Sequence, residues 1–267
     1  MPGIELIVTD LDGTLWHGHE EVHDSTVKAW RELERRGVRV IVATGRRLAS
    51  TRDPLARFGL APTAAVLNGA LIVDLDSGTR RYRHTYAPND ATAVLAAFHD
   101  HDLDPCIYVD HDRYDAFHGP NPSTHPGHRA ALGSTAIEAD TSAIVASEPV
   151  LMFGIIGNRP EPLVDVADAV RDVAVPHVSP DQWGGHTITV TPRGLSKWVG
   201  VVEYCSQVGI DSARVLAIGD GPNDIELLSA AAVAVVPSNG CTEALALADH
   251  VVAPPTEGGW ATLLDLV

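Results

Sequence analysis

The chain is short of cysteine, short of positive charge, and without any long apolar run. Its three cysteines, Cys106, Cys205 and Cys241, are scattered and odd in number, and none belongs to a C-x-x-C pair. A disulfide framework is thereby excluded, and a reducing compartment is the expectation. Lys and Arg number 19 against 35 Asp and Glu, a net charge of −16. Nucleic acids and anionic membranes demand Lys and Arg, so neither is expected as a partner. A small phosphate ester is not excluded, because one metal ion and one lysine reverse the field inside a cleft. No apolar stretch approaches ~20 residues, so no spanning helix is expected. The start, Met1-Pro2-Gly3, leads straight into a strand-like run with no signal-peptide pattern, which makes the cytoplasm the expected location. No internal repeat and no low-complexity tail are present. No G-x-G-x-x-G follows the first strand-like run, which disfavours a dinucleotide-binding enzyme.

What remains is an ordinary globular composition, 45% hydrophobic and 20% charged over 267 residues, enough for one large domain or two modest ones. Residues 4–9 form a short β-branched apolar run, a candidate buried parallel strand. A helix is expected over residues 24–36, capped by Asp24-Ser25 and stopped by Gly37. A second buried strand over 38–43 ends in Thr44-Gly45-Arg46, and a helix over 47–58 stops at Gly59. Strands over 64–67 and 71–73 flank Asn68-Gly69, a hairpin-type turn. The alternation predicts a Rossmann-like α/β core, a parallel sheet with helices on both faces. It resumes late in the chain: helix 195–208, strand 215–218, helix 224–230, strand 232–236, helix 242–248, strand 250–253 and a final helix over 260–266.

Between these blocks the texture changes. Residues 79–187 hold nine of the thirteen histidines and much of the proline. Strand-like pieces at 106–109, 150–156 and 186–190 alternate with helical ones at 89–101 and 161–173. An inserted α+β cap domain over 81–188 is expected, with a discontinuous core made of 1–80 and 189–267.

Two acidic clusters stand out. The first apolar run ends in Asp10-Leu11-Asp12-Gly13-Thr14, and a later one ends in Gly219-Asp220-Gly221-Pro222-Asn223-Asp224. Four aspartates at the ends of two buried strands repel one another, and burial raises their pKa values further, unless a positive charge sits among them. Oxygen-only ligands of this kind suit Mg²⁺. In a parallel sheet the carboxyl ends of neighbouring strands share one edge, where ligands bind. Asp10, Asp12, Thr44, Lys197, Asp220, Asn223 and Asp224 are therefore expected together.

This motif set resembles the haloacid dehalogenase superfamily of phosphohydrolases. Its four motifs are matched in order by Asp10-Leu11-Asp12-Gly13-Thr14, Thr44-Gly45-Arg46, Lys197, and Gly219 to Asp224. The large insert between Thr44 and Lys197 looks like the Cof-type subgroup with an α+β cap, as do Asn68-Gly69-Ala70 and Thr191 to Lys197. The resemblance implies Mg²⁺-dependent hydrolysis of a small phosphorylated metabolite, with sugar phosphates the leading class. Asp10 would be the nucleophile that forms an aspartyl-phosphate. Asp12 would protonate the leaving oxygen and then deprotonate water. Mg²⁺ would bind the carboxylates of Asp10 and Asp220 and the backbone carbonyl of Asp12 at about 2.1 Å, with Asp224 acting through water or from behind. Thr44, Gly45, Lys197 and Asn223 would hold the phosphoryl oxygens. Arg46 and Asn68 are candidates for substrate contact or for support of those that make it.

Competing readings exist. The same intermediate serves a phosphomutase that passes the phosphoryl group to a sugar hydroxyl. A binding module that keeps the scaffold without the chemistry is disfavoured by the complete set Asp10, Asp12, Thr44, Lys197 and Asp220. A metal-free dehalogenase leaves the paired carboxylates without purpose. The Gly219–Asp224 loop lacks the downstream Glu of an EF-hand. His99, His101, His118, His125 and His128 have loosely metal-like spacing, but no cysteine accompanies them and His-x-His on a helix points to two faces. Trp183-Gly184-Gly185-His186 reads as a cap loop near the cleft or as core and turn. Neither the oligomeric state nor the substrate itself is legible.

Overall fold

The computed structural model describes residues 3–18, 20–111, 113–120, 132–181 and 184–267. His125, His128 and Trp183 lie outside the described residues. The chain divides into two compact units, one of residues 1–45, 51–82 and 196–267, the other of residues 46–50 and 83–195.

The first unit carries an eight-stranded sheet. Its strands are β1 (Leu6–Thr9), β2 (Arg39–Ala43), β3 (Thr63–Val66), β4 (Leu71–Asp74) and β5 (Arg80–Arg83) from the first half of the chain. The second half supplies β12 (Val215–Ile218), β13 (Val233–Pro237) and β14 (His250–Val252). Their order is β14-β13-β12-β1-β2-β3-β4-β5. From β14 to β3 every pairing is parallel, and β4 returns antiparallel to β3. The chain runs outward one way from β1 and the other way from β12, so the connection reverses between these two strands. A parallel sheet places its ligand crevice at the carboxyl ends beside such a reversal.

Burial on both faces explains the unbroken apolar runs. Leu6 and Val8 pack with Val201, Tyr204, Leu227 and Leu228 from the helices Lys197–Val208 and Ile225–Ala230. Side chains alternate across a strand, so Thr9 faces the other way, where its hydroxyl accepts the Trp260 indole N–H at 3.0 Å. Trp260 stacks on Trp30 of the helix Asp24–Arg35, centroids 5.5 Å apart.

Several details differ from the expectations. His23, not Asp24 or Ser25, caps the first helix, with its ring nitrogen accepting from the Ser25 N–H. The last segment, Gly259–Asp265, is 3₁₀ rather than α. Strand β5 reads Arg-Arg-Tyr-Arg and carries no apolar alternation, so it escaped the hydrophobic pattern.

The second unit is a six-stranded sheet with helices, in the order β10-β11-β9-β6-β7-β8. These strands are β6 (Cys106–Val109), β7 (Ala116–His118), β8 (Ala136–Glu138), β9 (Val150–Asn158), β10 (Ala174–Pro180) and β11 (His186–Pro192). Val94 and Phe98 from the helix Pro88–Asp100, and Leu163 and Val166 from Pro160–Val170, form one core with Phe153, Ile155 and Ile188. Strand β10 contains Pro176 and Pro180 and lies at the sheet edge, where a missing N–H is tolerated.

Among the described residues no helix is long and apolar enough to cross a membrane. All three cysteines are free thiols.

Candidate active site

The carboxylates of Asp10, Asp220 and Asp224 converge just past the ends of β1 and β12, each offering an oxygen within 4.8 Å of the others. Lys197, the first residue of its helix and one of two lysines in the chain, is 1% exposed and lies among them. Its Nζ donates to Asp10 Oδ1 at 2.6 Å and to Asp224 Oδ1 at 2.7 Å. The other oxygen of Asp224 accepts the backbone N–H groups of Asp220 and Gly221 at 3.1 and 3.0 Å. Asp224 is thus committed to holding Lys197 and the 220–221 loop.

The electrostatics are unbalanced. Burial lifts the Asp10 carboxyl well above the usual carboxylate range, against the pull of Lys197 and with a further push from Asp224 and Asp220. Burial likewise raises Asp220 to about 7, helped by Asp224 and opposed by the Thr14 hydrogen bond. Burial works against charge on Lys197, but Asp10 and Asp224 outweigh it and hold the ammonium above its ordinary value. One ammonium therefore does not neutralise the cluster. An additional cation fits: the donors are all hard oxygens, which match Mg²⁺. Asp10 and Asp220 would hold it directly, with Asp224 behind them.

The loop after β1 supports this arrangement. Gly13 has φ +79°, and a Cβ there would run into the Asp220 carboxylate, so the position demands glycine on two counts. The Thr14 hydroxyl donates to Asp220 Oδ1 at 2.7 Å. The Thr9 hydroxyl donates to the Asp10 carbonyl at 2.7 Å. Asp12 is exposed and is not one of the three clustered carboxylates; its side chain accepts the Trp16 indole N–H at 3.0 Å. The ligand expected from Asp12 is its backbone carbonyl, not this carboxylate.

A second group lies beside Gly45. Asn223 Nδ2 donates to Asn68 Oδ1 at 2.9 Å, and a Cβ on Gly45 would sit 3.2 Å from that oxygen and 3.4 Å from that nitrogen. Thr44 is buried, and its carbonyl accepts the Asn68 N–H at 2.9 Å. Asn68 is 2% exposed and left-handed, φ 54°, after Leu67 at φ 53°. Such strain in non-glycine residues concentrates at functional sites. The turn is pressed against the Lys197 helix: a Cβ on Gly200 would lie 2.9 Å from Gly69 Cα. Arg46 donates to the Ser50 carbonyl at 3.0 Å, a contact within its own turn.

Thr14 and Trp16 are the residues that sequence reasoning passed over. Thr14 stood inside the quoted motif without a role. Trp16 gives no periodic signal, since its contact depends on a turn rather than a helix or strand.

Residues 7–264 match the family described as haloacid dehalogenase-like hydrolase, and the chain belongs to that family. Phosphoglycolate phosphatase of Methanopyrus kandleri is 26% identical, over 97% of this chain and 95% of that one. The 5-amino-6-(5-phospho-D-ribitylamino)uracil phosphatase YitU of Bacillus subtilis is 26% identical, over 97% and 96%. A chloroplastic protein of Arabidopsis thaliana named endoribonuclease YBEY is 24% identical over 94% of this chain, which spans 44% of that protein's length. Among solved structures, the subclass IIB sugar phosphatase BT4131 shares the fold with TM-score 0.80 at 22% identity, covering 98% of each chain. The protein is an enzyme, a phosphatase of the haloacid dehalogenase type.

Proposed function

We propose that the protein hydrolyses a small phosphomonoester, a sugar phosphate or a related metabolite, through an aspartyl-phosphate on Asp10 with Mg²⁺ as cofactor. The observation that carries this reading is the buried Asp10–Lys197–Asp224 array with Asp220 beside it. The relatives' names, phosphoglycolate phosphatase and YitU, each specify a small phosphate ester for those proteins.

In the first step a carboxylate oxygen of Asp10 attacks phosphorus while Asp12 gives a proton to the departing oxygen. Lys197 and Asn223, with the Thr44 hydroxyl and the Gly45 amide, hold the phosphoryl oxygens as charge spreads over them. Once Asp10 carries the phosphoryl group, Lys197 exchanges a carboxylate partner for a phosphoryl oxygen and stays paired. Asp10, Asp220 and the Asp12 carbonyl would hold Mg²⁺, which would supply Lewis-acid charge to screen the approach of one anion to another. In the second step Asp12 takes a proton from water as the water oxygen attacks phosphorus; the P–O bond to Asp10 breaks, inorganic phosphate leaves, and Asp10 returns as a carboxylate.

Phosphate release from 4-nitrophenyl phosphate, with Mg²⁺ and with chelator, tests this. Asp10→Asn is expected to fold normally and to release nothing, and chelation is expected to stop the wild type. Wild-type rates in Asp10→Asn refute the nucleophile. An isomeric ester in place of free phosphate, with a sugar phosphate as substrate, refutes hydrolysis.

A further inference from the structure

We infer that Trp16 is a positioning residue for the proton carrier Asp12, an inference that rests on the phosphatase reading above. Asp12 is exposed, and an exposed carboxylate on a loop ordinarily samples several side-chain rotamers. Here it does not move alone, because the Trp16 indole N–H is bonded to its Oδ1 at 3.0 Å and the Trp16 ring is 0% exposed. The buried ring is an anchor, and the carboxyl group is its tether.

The backbone makes that anchor rigid. Three N–H groups, of Thr14, Leu15 and Trp16, converge on the Leu11 carbonyl at 3.2, 3.0 and 3.1 Å, and the Gly13 N–H returns to the Trp16 carbonyl at 3.0 Å. Asp12 and Trp16 also form an isolated bridge. Asn239 Nδ2 donates to the Gly13 carbonyl at 2.9 Å, and Thr14 of the same turn holds Asp220. One closed turn therefore sets the Asp12 carboxyl group relative to the Asp10–Asp220 pair. A proton carrier must meet the leaving oxygen within hydrogen-bond reach and in line with bond cleavage. The indole fixes the rotation of the carboxyl group on which that alignment depends.

A role in protonating the leaving group has a signature that packing alone lacks: it scales with how much help the leaving group needs. The test measures kcat/KM for phenyl, 4-nitrophenyl and 2,4-dinitrophenyl phosphate, in order of rising leaving-group acidity, with Mg²⁺ present. It uses the wild type, Trp16→Phe, and a protein carrying benzothienylalanine at position 16, which keeps the ring shape and deletes only the N–H. General acid catalysis is worth about 10²–10⁴-fold, and misalignment of the acid forfeits part of it. Both variants are expected to lose about tenfold or more on phenyl phosphate and less than about twofold on the dinitrophenyl ester. Equal losses on all three esters overturn the inference, because they mark a structural role. No loss on any ester in the benzothienylalanine protein overturns it as well. A wild type that hydrolyses none of the esters refutes the phosphatase reading itself, an outcome distinct from either.

Discussion

Replacing Lys197 by methionine keeps most of the side-chain volume and removes the one ammonium inside the acidic cluster. Asp224 is 0% exposed and Asp10 6%, so neither carboxylate left behind gains water in exchange. Breaking a buried pair by deleting one partner costs about 3–5 kcal/mol. Lys197 serves two carboxylates, which favours the upper end, but Asp10 already leans toward protonation because of its burial, which returns part of the cost. A net loss of about 3 kcal/mol at neutral pH is expected, growing at higher pH as protonation becomes harder. At roughly 2–4 °C per kcal/mol for a domain of this size, Tm falls by about 6–12 °C. Four of the five tryptophans, Trp16, Trp30, Trp198 and Trp260, belong to the first unit, so their fluorescence during urea or thermal unfolding reports on it. The measurement is made in metal-free buffer at two pH values. The double variant Lys197→Met/Asp224→Asn is expected to recover at least ~1 kcal/mol, since the two changes share a contact. A Lys197→Met protein as stable as the wild type at pH 8, or strict additivity in the double variant, refutes the buried ion-pair account.

Three further outcomes follow from the site. Asp220 is lifted from 3.8 to about 7 in the folded chain, so between those values the folded state keeps a proton that the unfolded state releases. Metal-free stability therefore falls as pH rises from about 4 to about 7, by on the order of 4 kcal/mol from this group, and calorimetry with excess Mg²⁺ should show that fall diminished. Asp220→Asn should raise the metal-free Tm at pH 8 and abolish the rise on adding Mg²⁺; a variant that responds to Mg²⁺ like the wild type removes Asp220 from the metal's ligands. Gly200→Ala pushes a methyl group into the Gly69 backbone, and an overpacking cost of about 1–3 kcal/mol with a lower kcat is expected from unfolding and turnover assays.

The legible parts of this molecule are those with local chemistry. Buried parallel strands such as Leu6–Thr9 and Val215–Ile218 announce themselves as short β-branched runs, because both faces are covered. The pattern finds the Lys197 helix but starts it at residue 195; the Ser196 hydroxyl caps it, so that it begins two residues on, and Gly209, with its left-handed φ of 71°, ends it. The acid cluster was legible because parallel strands bring their carboxyl ends to one edge. The Arg80–Arg83 strand was not, since this edge strand turns a single apolar side chain, Tyr82, toward the core between arginines, too little to make a pattern. Neither was the Asn223–Asn68 pair, 155 residues apart in sequence, nor the Trp16–Asp12 bond, which arises only when three amides fold onto one carbonyl.

The separation of Asp10 and Lys197 by 187 residues also has a consequence for the chain as it is made. At about 5–20 residues per second, Asp10 leaves the ribosome on the order of 10–40 s before Lys197. Strand β1 then lacks its neighbour β12, which is translated later still, while all six strands of the second sheet have already been synthesised. The inserted sheet can therefore close before the first sheet can. The Asp10 carboxylate spends its early life hydrated, and it becomes buried only when the last third of the chain arrives with the charge that makes burial tolerable.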